Sequence, residues 1–160
     1  DLELVCHVAP DVPDAIIGKP ERLSREEYAQ MKRHPEIGAR ILEPVAFLAD
    51  VVPCVRHHHE WYDGSSNGYP SQLRAAQIPY PSRIILVADT VEAMTSDRPY
   101  RKALPFERVI EEIATFSGTQ FDPAVADAFI RIAEREEEAF IETASKFDIE
   151  AFVRGTWTAQ

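Results

Sequence analysis

The run Ile84-Ile85-Leu86-Val87-Ala88-Asp89-Thr90-Val91 sets one carboxylate inside otherwise apolar sequence, and no other feature limits the fold so tightly. Residues 82 to 94 are apolar enough to predict a buried helix. An ionised carboxylate buried there without a partner costs several kcal/mol. Asp89 therefore calls for a cation. Arg83 is one candidate, although six residues back it lies on a different helical face; a metal ion is the other.

The rest of the chain reads as helices joined by turns. Ser24-Arg25-Glu26-Glu27 has capping-box spacing and predicts a short helix ending near Arg33. Pro35 suits a first helical position, and Ile37, Ile41, Leu42, Val45 and Leu48 follow at helical spacing. A further helix is expected from about Asp50 to His59, with Pro53 in its first turn. Gly64, Gly68, Pro70, Pro79 and Pro81 make residues 62 to 81 the longest irregular stretch. Helices over about 105–116 and 123–137 complete the body, the second opened by Asp122-Pro123 as N-cap and first residue. Gly118 to Pro123 reads as a helix stop and a new start. The tail, residues 140 to 160, is expected to form a short helical extension. With no repeat and no second-domain boundary in 160 residues, the expectation is one all-α domain, a helical bundle spanning 1–160.

Charge and composition remove several classes of function. A net charge of −10 argues against general binding to nucleic acid or an anionic membrane surface. No apolar run reaches the roughly 18 residues of a membrane-spanning helix, and the N-terminus lacks a signal pattern, so a cytoplasmic protein is expected. The two cysteines, Cys6 and Cys54, have neither disulfide nor thiolate-zinc spacing and read as small buried hydrophobes. A phosphate-bearing ligand would need a local cluster of Arg or Lys.

His57-His58-His59-Glu60 then acquires a meaning beside Asp89. Neighbours on a helix point about 100° apart, so three consecutive imidazoles cannot share one centre, but two can. Alternatively the run is a solvated helix end, where cations favour the dipole. His34, just before Pro35, is a third candidate ligand. Imidazole nitrogen combined with carboxylate oxygen suits Mn, Fe or Zn better than Mg or Ca.

Seven motifs occur in order: His34-Pro35-Glu36-Ile37-Gly38, His58-His59-Glu60, Asp63-Gly64, Gly68-Tyr69-Pro70, Ile84 to Asp89, Thr95-Ser96-Asp97-Arg98-Pro99-Tyr100-Arg101, and Gly118 to Pro123. Over about residues 11–133 this series resembles the HD-GYP family of bacterial cyclic-di-GMP phosphodiesterases, a branch of the HD metal-dependent phosphohydrolases. The resemblance implies an all-α HD-type bundle holding two or three iron or manganese ions, with His34, His58, His59 and Asp89 among the ligands. It implies hydrolysis of cyclic-di-GMP to pGpG or GMP by metal-activated water. It places Arg98 and Arg101 at the ligand phosphates, and it sets the Gly68-Tyr69-Pro70 loop beside the ligand. Glu60 is expected to steady a ligating imidazole from behind. Similar domains commonly follow a sensor or receiver domain, and a diguanylate cyclase is a further partner of the expected kind.

The chain departs from that pattern in two places. Ser65-Ser66-Asn67 makes the loop between Asp-Gly and Gly-Tyr-Pro longer than is usual in the family. Counted without gaps, the family's His-Asp dyad falls on Val5-Cys6 and its Gly-Lys pair on Val8-Ala9, which lack the same donors. Either the metal site is impaired, leaving a module that binds cyclic-di-GMP or docks a signalling partner without hydrolysis, or residues are missing near Pro10-Asp11. A general HD phosphohydrolase acting on other nucleotides is a third reading, which the Gly-Tyr-Pro loop and the two arginines disfavour.

Overall fold

The structure is a computed structural model, and it describes residues 16, 19, 21–97 and 101–135. Six α-helices and two short 3-10 turns make up the described part, with no sheet among these residues. The all-α expectation holds. The dyad register at Val5-Cys6, Arg98 and the tail from 140 to 160 lie outside the described residues.

Helix α1 (Arg25–Met31) carries the expected capping box. Glu27 N–H donates to Ser24 Oγ at 3.2 Å, and Ser24 N–H donates back to the Glu27 carboxylate at 2.6 Å. Helix α2 (His34–Leu42) buries His34, Pro35, Ile37, Gly38 and Ala39. Its expected continuation to Leu48 does not occur. Pro44 has no N–H to give to the preceding turn, and the chain re-forms only as a 3-10 turn, Ala46–Leu48, that leaves Phe47 86% exposed.

Helix α3 (Val52–Arg56) is shorter than the expected 50–59. His58 Nδ1–H donates to the Val55 carbonyl at 2.6 Å, taking the acceptor that His59 N–H would need for another turn. Both His58 and His59 therefore leave the helix. This corrects the expectation that they end it, and frees them from the helical spacing of about 100°.

Helix α4 (Tyr80–Thr95) is the predicted apolar helix, but buried on one side only. Leu86, Val87 and Val91 enter the core while Ile84 is 44% exposed. Helices α5 (Phe106–Thr115) and α6 (Pro123–Arg135) pack against it, and Phe106, Val109, Ile113, Phe121, Val125, Ala126 and Ala133 complete the main core. The join between α5 and α6 works as its sequence suggests. Gly118 takes the left-handed region at φ +82, which favours glycine, and the Asp122 carboxylate accepts Ala124 N–H at 2.8 Å. Asp122 also pairs with Arg83 at 2.6 Å, tying the first turn of α4 to the start of α6. Arg83 is thereby engaged away from Asp89.

Candidate metal centre and adjoining cavity

Three imidazoles from two segments meet beside the start of α2. The ligand-capable atoms of His34, His58 and His59 all lie within 4.8 Å of one another. His34 is fully buried and His58 nearly so. The backbone decides which ring nitrogens carry protons. His34 Nδ1 lies 2.8 Å from the Met31 carbonyl and His58 Nδ1 lies 2.6 Å from the Val55 carbonyl. A carbonyl oxygen only accepts, so each Nδ1 is the protonated nitrogen of its ring.

In the neutral His34 and His58 rings the lone pairs therefore sit on Nε2, and these point at each other. His34 Nε2 lies 3.2 Å from His58 Nε2 and 3.2 Å from His59 Nε2. Two lone pairs at that separation repel unless a proton or a metal ion stands between them. A proton is disfavoured. Burial pushes the His58 pKa down to about 4, lowers that of His34, and holds that of His59 well below the ordinary value, with neighbouring imidazoles adding to the effect at His58 and His59. Neutral imidazoles with converging Nε2 atoms, two of them with the Nδ1 proton fixed by a carbonyl, are the donor set a transition metal takes. The residues fit a metal ion.

Asp89 is buried on α4 but does not belong to that close set. It lines a cavity of about 650 Å³ next to it, together with His59, Tyr69, Lys32, Thr90 and Arg101. The structure thus brings three of the four expected donors together and sets the fourth on the adjoining wall.

Glu60 departs from its expected place behind a ligating imidazole. It is 2% exposed and accepts Ser71 N–H at 2.7 Å and Leu73 N–H at 3.1 Å, while its third contact is His57 Nδ1 at 3.3 Å. The carboxylate pins the segment after Gly-Tyr-Pro, and His57 turns toward it, away from the other three rings.

The loop residues act differently from one another. Gly68 passes so close to the chain at Trp61 that a Cβ there would lie 2.3 Å from Trp61 N. Tyr69 stacks on His59, with ring centroids 4.8 Å apart and planes 28° apart, and its N–H donates to the His59 carbonyl at 3.1 Å. Pro70 follows through a cis peptide bond. Ser66 and Asn67, from the lengthened stretch, line the cavity.

Arg101 lines the cavity but spends hydrogen-bond donors on backbone. Its guanidinium reaches the carbonyls of Ala93 at 2.6 Å, Met94 at 3.2 Å and Lys102 at 2.8 Å, closing the end of α4. Asp97, four residues before it in the same motif, pairs with Lys102 at 2.6 Å. Tyr28, Lys32, Trp61 and Thr90 also line the cavity and were not legible as site residues. The available signal was position alone: Tyr28 and Lys32 precede His34 by six and two residues on the neighbouring helix.

A helical domain with a buried imidazole cluster at one edge of a polar cavity is the architecture of an HD-type metal domain. The HD domain family matches residues 9–125. The chain belongs to that family, in its HD-GYP branch. A cyclic di-GMP phosphodiesterase of Vibrio cholerae is 38% identical over 143 residues, 85% of this chain and 28% of that protein. One of Thermotoga maritima is 38% identical over 133 residues, covering 81% of this chain and 35% of its own. A third, of Pseudomonas aeruginosa, is 41% identical over 121 residues, 75% of this chain and 28% of the relative. The chain thus spans about a third or less of the length of these relatives. A crystal structure of a cyclic GMP-AMP-specific phosphodiesterase of V. cholerae shares the fold, with a TM-score of 0.62 at 20% identity, over 100% of this chain and 39% of that one. No helix among the described residues is long and apolar enough to cross a membrane.

Proposed function

We propose that this chain is the HD-GYP domain of a cytoplasmic metal-dependent phosphodiesterase that hydrolyses cyclic-di-GMP to pGpG or GMP. The observation that carries this is the inward-facing trio of Nε2 atoms on His34, His58 and His59, with the His34 and His58 rings fixed by backbone carbonyls at their other nitrogens. Those three residues would hold the metal, with Asp89 contributing from the cavity wall. Iron or manganese suits imidazole nitrogen and carboxylate oxygen. When bound, such an ion lowers the pKa of water and offsets charge gathering on phosphate.

The chain's own residues supply position and exclusion. Tyr69 fixes the His59 ring by stacking. Gly68 lets the loop lie against Trp61, and Glu60 anchors the loop beyond Pro70. Arg101 brings guanidinium charge to the cavity wall, and Arg98, three residues earlier in the same motif, is a further phosphate-binding candidate on the family resemblance alone. The relatives named for cyclic di-GMP support that substrate, and one relative named as a response regulator, in Xanthomonas campestris, supports control by a receiver domain.

A second reading rests on the register that puts Val5-Cys6 where the family has its His-Asp dyad. It makes the domain a cyclic-di-GMP-binding or partner-docking module, for a diguanylate cyclase for example, without turnover. Metal analysis with a turnover assay separates the two. Phosphodiesterase expects Fe or Mn in the purified protein and linear pGpG that disappears on chelation and returns on reloading. Cyclic-di-GMP binding without product under Fe and Mn loading overturns it in favour of the module.

A further inference from the structure

Lys32 is the lysine whose surroundings the fold alone does not explain. Of the three lysines among the described residues, Lys19 pairs with Glu27 at 2.8 Å and Lys102 with Asp97 at 2.6 Å. Lys32 Nζ meets no carboxylate or carbonyl among the described residues. It lies over two aromatic faces instead, 5.2 Å from the Tyr28 ring centroid and 6.0 Å from that of Tyr69. In a chain of net charge −10, acidic partners are abundant, so a lysine without one is unusual. It is also half-buried and lines the same cavity as His59, Asp89 and Arg101.

The other cation among the described residues of that cavity, Arg101, is less available. Both terminal nitrogens of Arg101 already donate to main-chain carbonyls. Lys32 keeps three N–H donors. Aromatic faces hold an ammonium weakly and without using its donors. Such a site positions the charge and leaves it able to bind an anion.

We propose that Lys32 is a phosphate-binding residue of the cavity: its ammonium donates to a non-bridging oxygen of the substrate's phosphodiester, on a wall contributed by α1, while Tyr28 and Tyr69 hold it in place. The proposal rests on the cyclic-dinucleotide reading of the site and adds to it a residue that precedes every metal-ligand candidate in sequence. Because Tyr69 also stacks on His59, the ring that lies under the ammonium at 6.0 Å also packs on an imidazole of the cluster. Lys32 also ends α1, where a cation favours the helix dipole. That role alone would alter stability without altering ligand affinity.

Calorimetric titration of the metal-loaded chain tests this, using cyclic-di-GMP and, separately, inorganic pyrophosphate. A charged hydrogen bond to phosphate implies that Lys32→Met weakens cyclic-di-GMP binding by about tenfold or more. It also flattens the salt dependence of binding, and Lys32→Arg restores most of both, with metal content unchanged throughout. Wild type that binds cyclic-di-GMP, with Lys32→Met equal to it, overturns the assignment and leaves the substrate reading standing. Loss of metal from Lys32→Met along with affinity overturns it too, because the residue would then serve the centre's structure. Wild type that ignores cyclic-di-GMP but binds pyrophosphate, with Lys32→Met failing to, sinks the substrate and keeps the residue. Wild type that binds neither, or a variant that equals it on pyrophosphate alone, removes both.

Discussion

His34 Nε2 and His58 Nε2 face each other at 3.2 Å while the opposite nitrogen of each ring is bound to a main-chain carbonyl, so the pair is arranged around something positive. The arrangement is costly whenever that positive charge is missing.

This makes the metal-free chain sensitive to acid in a defined window. Unfolded, the His58 ring takes its proton near pH 6.5; folded, burial delays this to about 4. Between those values the unfolded state binds more protons, so stability is fully present above pH 6.5 and falls as pH drops through 4. The loss from His58 alone is on the order of 3 kcal/mol, and His34 and His59 shift in the same direction. Urea unfolding of chelator-treated protein at pH 7.5, 5.5 and 4 checks it. A midpoint that does not move would refute the burial-driven lowering of these imidazoles.

Replacing Glu60 by Gln should loosen the loop. One carboxylate accepts Ser71 and Leu73 N–H with separate oxygens, whereas an amide has one acceptor oxygen. A buried donor left unsatisfied costs about 1–3 kcal/mol. Hydrogen exchange at the Ser71 or Leu73 amide should quicken well beyond that of the α5 amides. Equal protection in the variant would mean that other groups hold this segment.

Gly68→Ala is expected to damage both stability and ligand binding. The added carbon would approach Trp61 N, a main-chain atom, to 2.3 Å, and a rigid neighbour cannot yield cheaply. Overpacking of this kind costs typically about 1–3 kcal/mol. Thermal unfolding reports the first effect and calorimetric titration the second; an alanine variant with wild-type melting would show that the close approach is absent in solution.

Asp122→Ala should rank among the most destabilising single changes outside the centre. It strips a buried partner from Arg83 and the N-cap from α6 together. Breaking a buried pair costs about 3–5 kcal/mol, against about 1 for a cap. Asp122→Asn keeps the cap, so the difference between the two variants in urea unfolding isolates it. Identical losses would mean that the cap contributes nothing.

The helices were legible where punctuation was local. Ser24 with Glu27, Pro53 and Asp122-Pro123 carry their instructions within a few residues, and those starts fall where the sequence puts them. Ends that depend on side chains reaching backbone were not. Nothing in the sequence says that His58 would take the Val55 carbonyl, so α3 was expected three residues too long. At the site, His34, His58 and His59 were found through residue type and order, and the structure brings them together. Asp89 stands out through its apolar surroundings, yet its distance from the trio depends on how α4 lies against α3, which no local pattern encodes. Tyr28 and Lys32 carry no signal in the sequence, because only the fold brings Tyr69 over them and sets them on the cavity wall.

Residue 69 is fastened to residue 59 twice, ring upon ring and N–H to carbonyl. Loop and imidazole consequently behave as one mechanical piece. Lengthening or shortening the connection at Ser65-Ser66-Asn67 would therefore shift the ring of His59 as well as reshape the cavity mouth, giving evolution a handle on the imidazole cluster from a stretch outside it.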